Sequence, residues 1–221
     1  MEDVIKQIKQ LAEKIERPIN LMEVCGTHTV AIFRHGIRSV IPDNIKLLSG
    51  PGCPVCVTSV ADMEKAIVLS QKEDIILTTF GDMMRVPGVK SSLYDARAEG
   101  ADIRIVYSPM DSLSIARENS NKKIVFFATG FETTSPSVAA TLYMADNEGV
   151  DNFFIHSVHK LVPPALETLV SIEGIKLDGF ILPGHVSTII GVKPYKFLAD
   201  KYNLASVIAG FGAEDILHGI L

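Results

Sequence analysis

The chain has 221 residues, enough for one large domain or two small ones, and a net charge of −5 with no block of basic residues. That balance argues against wholesale nucleic-acid binding. No apolar run is long enough to span a bilayer, and the acidic start Met1-Glu2-Asp3 leads into an amphipathic pattern rather than a signal peptide. With three cysteines, an odd count, and no export signal, a reducing, cytoplasmic setting without structural disulfides is expected.

Val4, Ile8, Leu11 and Ile15 recur at helical spacing and predict a helix over residues 3–16, ended by Arg17-Pro18. A strand–helix rhythm follows. Strands are predicted at 19–24, 45–49, 74–79, 102–107, 123–129, 152–157, 178–182 and 204–209, with helices over 59–71, 91–99, 134–147 and 160–171 between them. Runs such as Ile124-Val125-Phe126-Phe127 are continuously apolar, as parallel strands covered on both faces require. The class is α/β with a mostly parallel sheet. Eight strands admit either one closed barrel, for which the chain is short, or two open sheets dividing near Ser108-Pro109. A short echo between Gly26-Thr27-His28-Thr29 and Gly184-His185-Val186-Ser187 suits two related halves.

The chemically distinctive residues collect just after strands, where ligands bind in open α/β sheets and barrels alike. Cys25-Gly26-Thr27-His28-Thr29 follows the first strand, and Gly50-Pro51-Gly52-Cys53-Pro54-Val55-Cys56 follows the second. Gly130-Phe131-Glu132-Thr133-Thr134 follows the fifth, and Pro183-Gly184-His185-Val186-Ser187 the seventh. His156 and His159 close the sixth. A CxxC between a strand and a helix suits redox or metal chemistry, because a helix N-terminus favours thiolate over thiol. Cys25 paired with His28 suits a metal or nucleophile site, and thiolate is a soft ligand for zinc, copper(I) or iron. The simpler readings are small buried thiols for the pair, a core or cap position for His28, helix capping at Thr133 and Thr134 with Glu132 on the dipole, and a turn residue for His185. No phosphate loop, dinucleotide fingerprint or serine nucleophile elbow is present.

CGTHT at 25–29, GPGCPVC at 50–56, FGDMMRVPG at 80–88, GFETT at 130–134 and PGHVS at 183–187, in this order, resemble the HypD family of hydrogenase maturation proteins. The resemblance runs from the first helix to the last residue. It implies two Rossmann-like α/β domains facing a cleft, here expected at 1–110 and 111–221. The cysteines would sit in the first domain, and Glu132 and His185 in the second.

By the same resemblance, the chain would act in assembling the iron centre of nickel–iron hydrogenases, which carries two cyanides and one carbon monoxide. A HypC-type small chaperone would share the iron and a HypE-type partner would deliver cyanide. Cys25, with His28 beside it, would bind iron, and Cys53 and Cys56 would form a redox pair working with Glu132 and His185. Gly26, Thr27, Thr29, Thr133 and Thr134 would receive the iron's ligands. The family also carries a 4Fe-4S cluster in a third domain. All three cysteines here belong to the N-terminal motifs, so that cluster's ligands are not expected in this chain, which reads as a truncated form. Two other functions fit the thiols, a thiol–disulfide oxidoreductase using Cys53 and Cys56 and a binding module stabilised by zinc on Cys25, His28, Cys53 and Cys56.

Overall fold

The computed structural model describes residues 1–221. Its strands are β1 (Ile19–Glu23), β2 (Ile45–Ser49), β3 (Ile75–Thr79), β4 (Ile103–Ile105), β5 (Lys123–Ala128), β6 (Phe153–Ser157), β7 (Gly179–Pro183) and β8 (Ala205–Ala209). The first six helices are α1 (Glu2–Ala12), α2 (Gly26–Arg34), α3 (Ile37–Val40), α4 (Pro54–Val57), α5 (Val60–Ser70) and α6 (Leu93–Ala98). The remainder are α7 (Pro109–Glu118), α8 (Ser135–Asn147), α9 (Val162–Val170), α10 (Gly184–Ile190), α11 (Lys196–Asp200) and α12 (Ala213–Ile220). All eight predicted strands are present. The first helix stops earlier than its pattern suggests. The amides of Lys14 and Ile15 bond to the carbonyls of Leu11 and Ala12, three residues back, and tighten its end.

Every strand pairing is parallel, and the strands form two open four-stranded sheets rather than a barrel. One sheet has the order β2-β1-β7-β8 and the other β4-β3-β5-β6. Within each sheet the order is the same: second strand, first, third, fourth. This is the doubly wound arrangement, with its switch point between the first strand and the third.

The sheets belong to two compact units, Met1–Cys53 with Leu161–Leu221, and Pro54–Lys160. This corrects the expected division after residue 110, which falls inside the second unit and would cut α7. The reason is strand pairing. β1 lies between β2 and β7, with Leu21 opposite Gly179 and Glu23 opposite Ile181, so the third sheet position of the first unit is filled from late in the chain. The assignment of His185 changes with it: His185 belongs with Cys25 and Cys53 in the first unit, while Glu132 and Cys56 lie in the second. The echoing segments at 26–29 and 184–187 likewise fall in one unit, on either side of its switch point.

In the first unit, Val4 and Ile8 of α1, Ile32 of α2, Leu47 of β2, Ile181 of β7 and Ile216 and Leu217 of α12 share one core. In the second, β3 is buried along its whole length and separates two cores. Leu77 and Phe127 face Met63, Met83 and Leu93, while Ile76 and Phe126 face Leu113 and Val138. That alternation across a sheet covered on both faces explains the unbroken apolar runs. Polar caps start the covering helices. Ser59 accepts from the Asp62 amide at the head of α5. Ser92 with Asp95 and Ser108 with Asp111 form capping boxes on α6 and α7.

Candidate functional site

At the carboxyl end of the first sheet, four loops follow β2, β1, β7 and β8 in spatial order. The β1 loop carries Cys25. Its extended backbone (φ −154°, ψ 128°) caps α2, and its side chain makes no capping bond, so the thiol is not consumed by the helix. Its carbonyl accepts from the Thr29 amide at 3.2 Å, the first turn of the helix. A side chain on Gly26 would meet nothing within 4 Å, so the helix start is open above that residue. Thr27 is exposed there.

The β2 loop lies directly on this turn. The Gly50 amide donates to the Glu23 carbonyl at 2.8 Å, and the Gly26 amide to the Gly52 carbonyl at 3.4 Å. A Cβ on Gly52 would stand 2.4 Å from the Val24 carbonyl and 2.5 Å from Cys25 Cα, so only glycine permits the approach. Cys53 ends this loop, and Cys56 lies on α4, a helical turn of its own before α5. The pair therefore does not sit at the start of the long helix predicted from Ser59. Ser59 caps that helix separately. None of Cys25, Cys53 and Cys56 is in a disulfide; the first two are half-buried and the third exposed.

Glu23 is the residue that sequence reasoning missed. It is 1% exposed at the end of β1. Its Oε1 accepts from Thr29 Oγ1 and from Ser49 Oγ, each at 2.7 Å. Burial raises its pKa above the usual carboxylate value; the Ser49 and Thr29 hydroxyls and the Cys25 amide oppose that rise. A carboxylate closing an apolar strand immediately before Val24-Cys25 is the signal that marks it.

His28 is fully buried on α2. Its Nε2 lies 2.8 Å from the Gly210 carbonyl, which can only accept, so Nε2 carries the proton. Nδ1 is buried with no hydrogen-bond partner. The Phe211 ring packs against His28 at 4.6 Å between centroids and against exposed His185 at 4.3 Å. Gly210-Phe211-Gly212, after β8, thus ties the CGTHT and PGHVS motifs together. A lone phenylalanine between glycines was the only sequence sign of it.

In the second unit, Gly130 has φ +157°, and a Cβ there would fall 1.8 Å from Thr134 Oγ1. Thr134 Oγ1 is 3.0 Å from His159 Nε2, and Ser157 Oγ is 3.1 Å from His159 Nδ1. Burial lowers the pKa of His159 below the ordinary imidazole value. Thr134 Oγ1 donates its proton to the Phe131 carbonyl, so it accepts from His159 Nε2, and Nδ1 of the neutral ring accepts from the Ser157 hydroxyl. Glu132 is buried and Thr133 exposed. His156 stacks on Phe127 at 5.4 Å.

The structure therefore groups Cys25, His28, Thr29, Cys53 and His185 on one sheet end and Glu132, Thr134 and His159 on another. No three His, Cys, Asp or Glu side chains converge into a metal-holding cluster, so Cys25, His28, Cys53 and Cys56 do not form the ligand set that the zinc reading needs. A 4Fe-4S cluster does not fit these residues for the same reason.

This is a doubly wound α/β protein with a free thiol at the switch point of its first sheet, between the loops after β1 and β7. The model of the HypD family, described as a hydrogenase formation family, matches residues 1–221, and the chain belongs to that family. It is 46% identical to the hydrogenase maturation factor HypD of Rhodobacter capsulatus, covering 99% of this chain and 59% of that protein. Against HypD of Escherichia coli K12 the identity is 43%, covering 100% and 61%. Against a putative hydrogenase expression/formation protein of Methanocaldococcus jannaschii it is 48%, covering 98% and 60%. The chain thus spans about three-fifths of the length of these relatives.

Proposed function

We propose that the chain serves hydrogenase maturation as a scaffold on which, with a HypC-type chaperone, the Fe(CN)2CO unit is assembled. The iron is cargo, passed on to the hydrogenase, with cyanide delivered by a HypE-type partner. The observation that carries this reading is Cys25. A free thiol stands at the switch point, at the N-terminus of a nine-residue helix, with open space above Gly26. A thiolate is the soft ligand such an iron needs, and helix-start amides suit the partial negative charge of bound cyanide.

Cys25 supplies the thiolate. His28 contributes through Nδ1, the ring atom that its bond to Gly210 leaves without a partner. Thr27, with the Gly26 backbone, stands on the same helix start for the iron's ligands, while the Thr29 hydroxyl is already given to Glu23. Cys53 and Cys56 are the residues of the redox pair in this reading. Glu132 and His185 assist proton movement. No helix is long and apolar enough to cross a membrane. Cysteines outside any disulfide suit a reducing compartment, and the proposed setting is the cytoplasm.

Metal analysis after anaerobic copurification with the chaperone tests this reading. Iron retained by Cys53→Ala and Cys56→Ala but lost from Cys25→Ala supports it. Iron binding that depends on the Cys53–Cys56 pair and not on Cys25 favours the plain oxidoreductase instead.

A further inference from the structure

A carboxylate at the end of a core strand is costly unless its bonds matter, because a charge taken out of water must be recovered through partners. Methionine or leucine would complete β1 as well. Glu23 instead bonds to both thiol-bearing segments of the first unit. Through Oε1 it takes the hydroxyl of Thr29, one turn into the helix that Cys25 caps. Through the same oxygen it takes the hydroxyl of Ser49, the last residue before the loop to Cys53. Its own carbonyl accepts from Gly50 in that loop. The loop in turn rests on the Val24–Cys25 backbone at the Gly52 contact.

We propose that Glu23 is a positioning residue, a buried clamp that holds the Cys25 turn against the Cys53 loop and so fixes how open the two thiols are. It contributes no atom to bound iron and acts through Cys25 and Cys53. Its importance for maturation rests on Cys25 being the iron-binding thiol. Its test uses no iron, so failure of either idea leaves the other standing.

The measurement is thiol labelling of the reduced full chain with a short pulse of N-ethylmaleimide, read by peptide mass spectrometry at each cysteine. Cys56, in the other unit, is the internal reference. Glu23→Leu keeps the volume and removes the acceptors; labelling of Cys25 and Cys53 relative to Cys56 should rise about tenfold as their segments loosen. Glu23→Gln keeps an acceptor oxygen for both hydroxyls and should stay within about twofold of the wild type. Unchanged ratios in Glu23→Leu, acceleration of all three thiols together, or a glutamine variant as fast as the leucine one would each overturn the proposal. Should Glu23→Leu not fold, Thr29→Val and Ser49→Ala carry the test. The first should expose Cys25 selectively and the second Cys53. Equal labelling of the two thiols in both variants would contradict the clamp.

Discussion

At the scale of single residues, the site depends on close backbone approaches that tolerate no side chain. Gly52 lies so near Val24 and Cys25 that a methyl group must push the two loops apart. Gly52→Ala should cost about 1–3 kcal/mol, the usual range for overpacking, seen as a lower urea midpoint at unchanged m-value. Gly26→Ala, where the space is open, should change stability far less. His159 gives a prediction in pH. Its pKa is depressed in the folded state, so between 6.5 and the folded value the unfolded chain binds the extra proton. Its contribution to stability is therefore lost as pH falls from about 6.5 through the folded value, and stays flat below that. Urea midpoints from pH 7.5 to 5 should show this fall, and His159→Gln should flatten it. An unchanged slope in that variant would place the titration elsewhere.

The elements were legible in the sequence to different degrees. Continuous apolar runs marked β3 and β5, which are covered on both faces, whereas β1, β2 and β4 carry polar residues within shorter apolar segments. The starts of α5, α6 and α8 were legible from Ser59, Ser92 and Thr134, although Thr134 makes no side-chain capping bond. The start of α7 was not, because Ser108-Pro109 reads in the sequence as a division between domains. Ser108 accepts from the Met110 amide, and Asp111 from the amides of Tyr107 and Ser108. Ser108→Ala should cost about 1 kcal/mol through loss of the cap on α7. Equilibrium urea unfolding followed by circular dichroism checks this. What the elements hid were polar residues doing long-range work. Glu23 reads as an ordinary strand end until Ser49 and Thr29 are seen around it. Phe211 reads as a loop residue until His28 and His185 are seen on either side. Both depend on contacts between segments distant in sequence, which no local pattern encodes.

For the whole molecule, strand identity was legible and strand partnership was not. A boundary at 110 follows the linear order of eight strands, whereas parallel pairing joins β1 to β7. The second unit is continuous and holds both of its cores. A fragment of residues 54–160 should therefore fold alone and unfold cooperatively. A fragment of residues 1–110 should not, since it lacks β7 and β8 from one sheet and β5 and β6 from the other. A cooperative transition in the 1–110 fragment would contradict the division.

The proposed role of Cys25, as the thiol that would bind iron at the switch point, can be tested directly. Infrared spectra of the chain copurified anaerobically with a HypC-type chaperone test this most directly, for the wild type, Cys25→Ser and Cys53→Ala. Cyanide and carbonyl stretches should be present in the wild type, absent from Cys25→Ser because an alcohol is a poor substitute for a soft thiolate, and at least partly retained in Cys53→Ala. Full-intensity bands in Cys25→Ser would contradict the account.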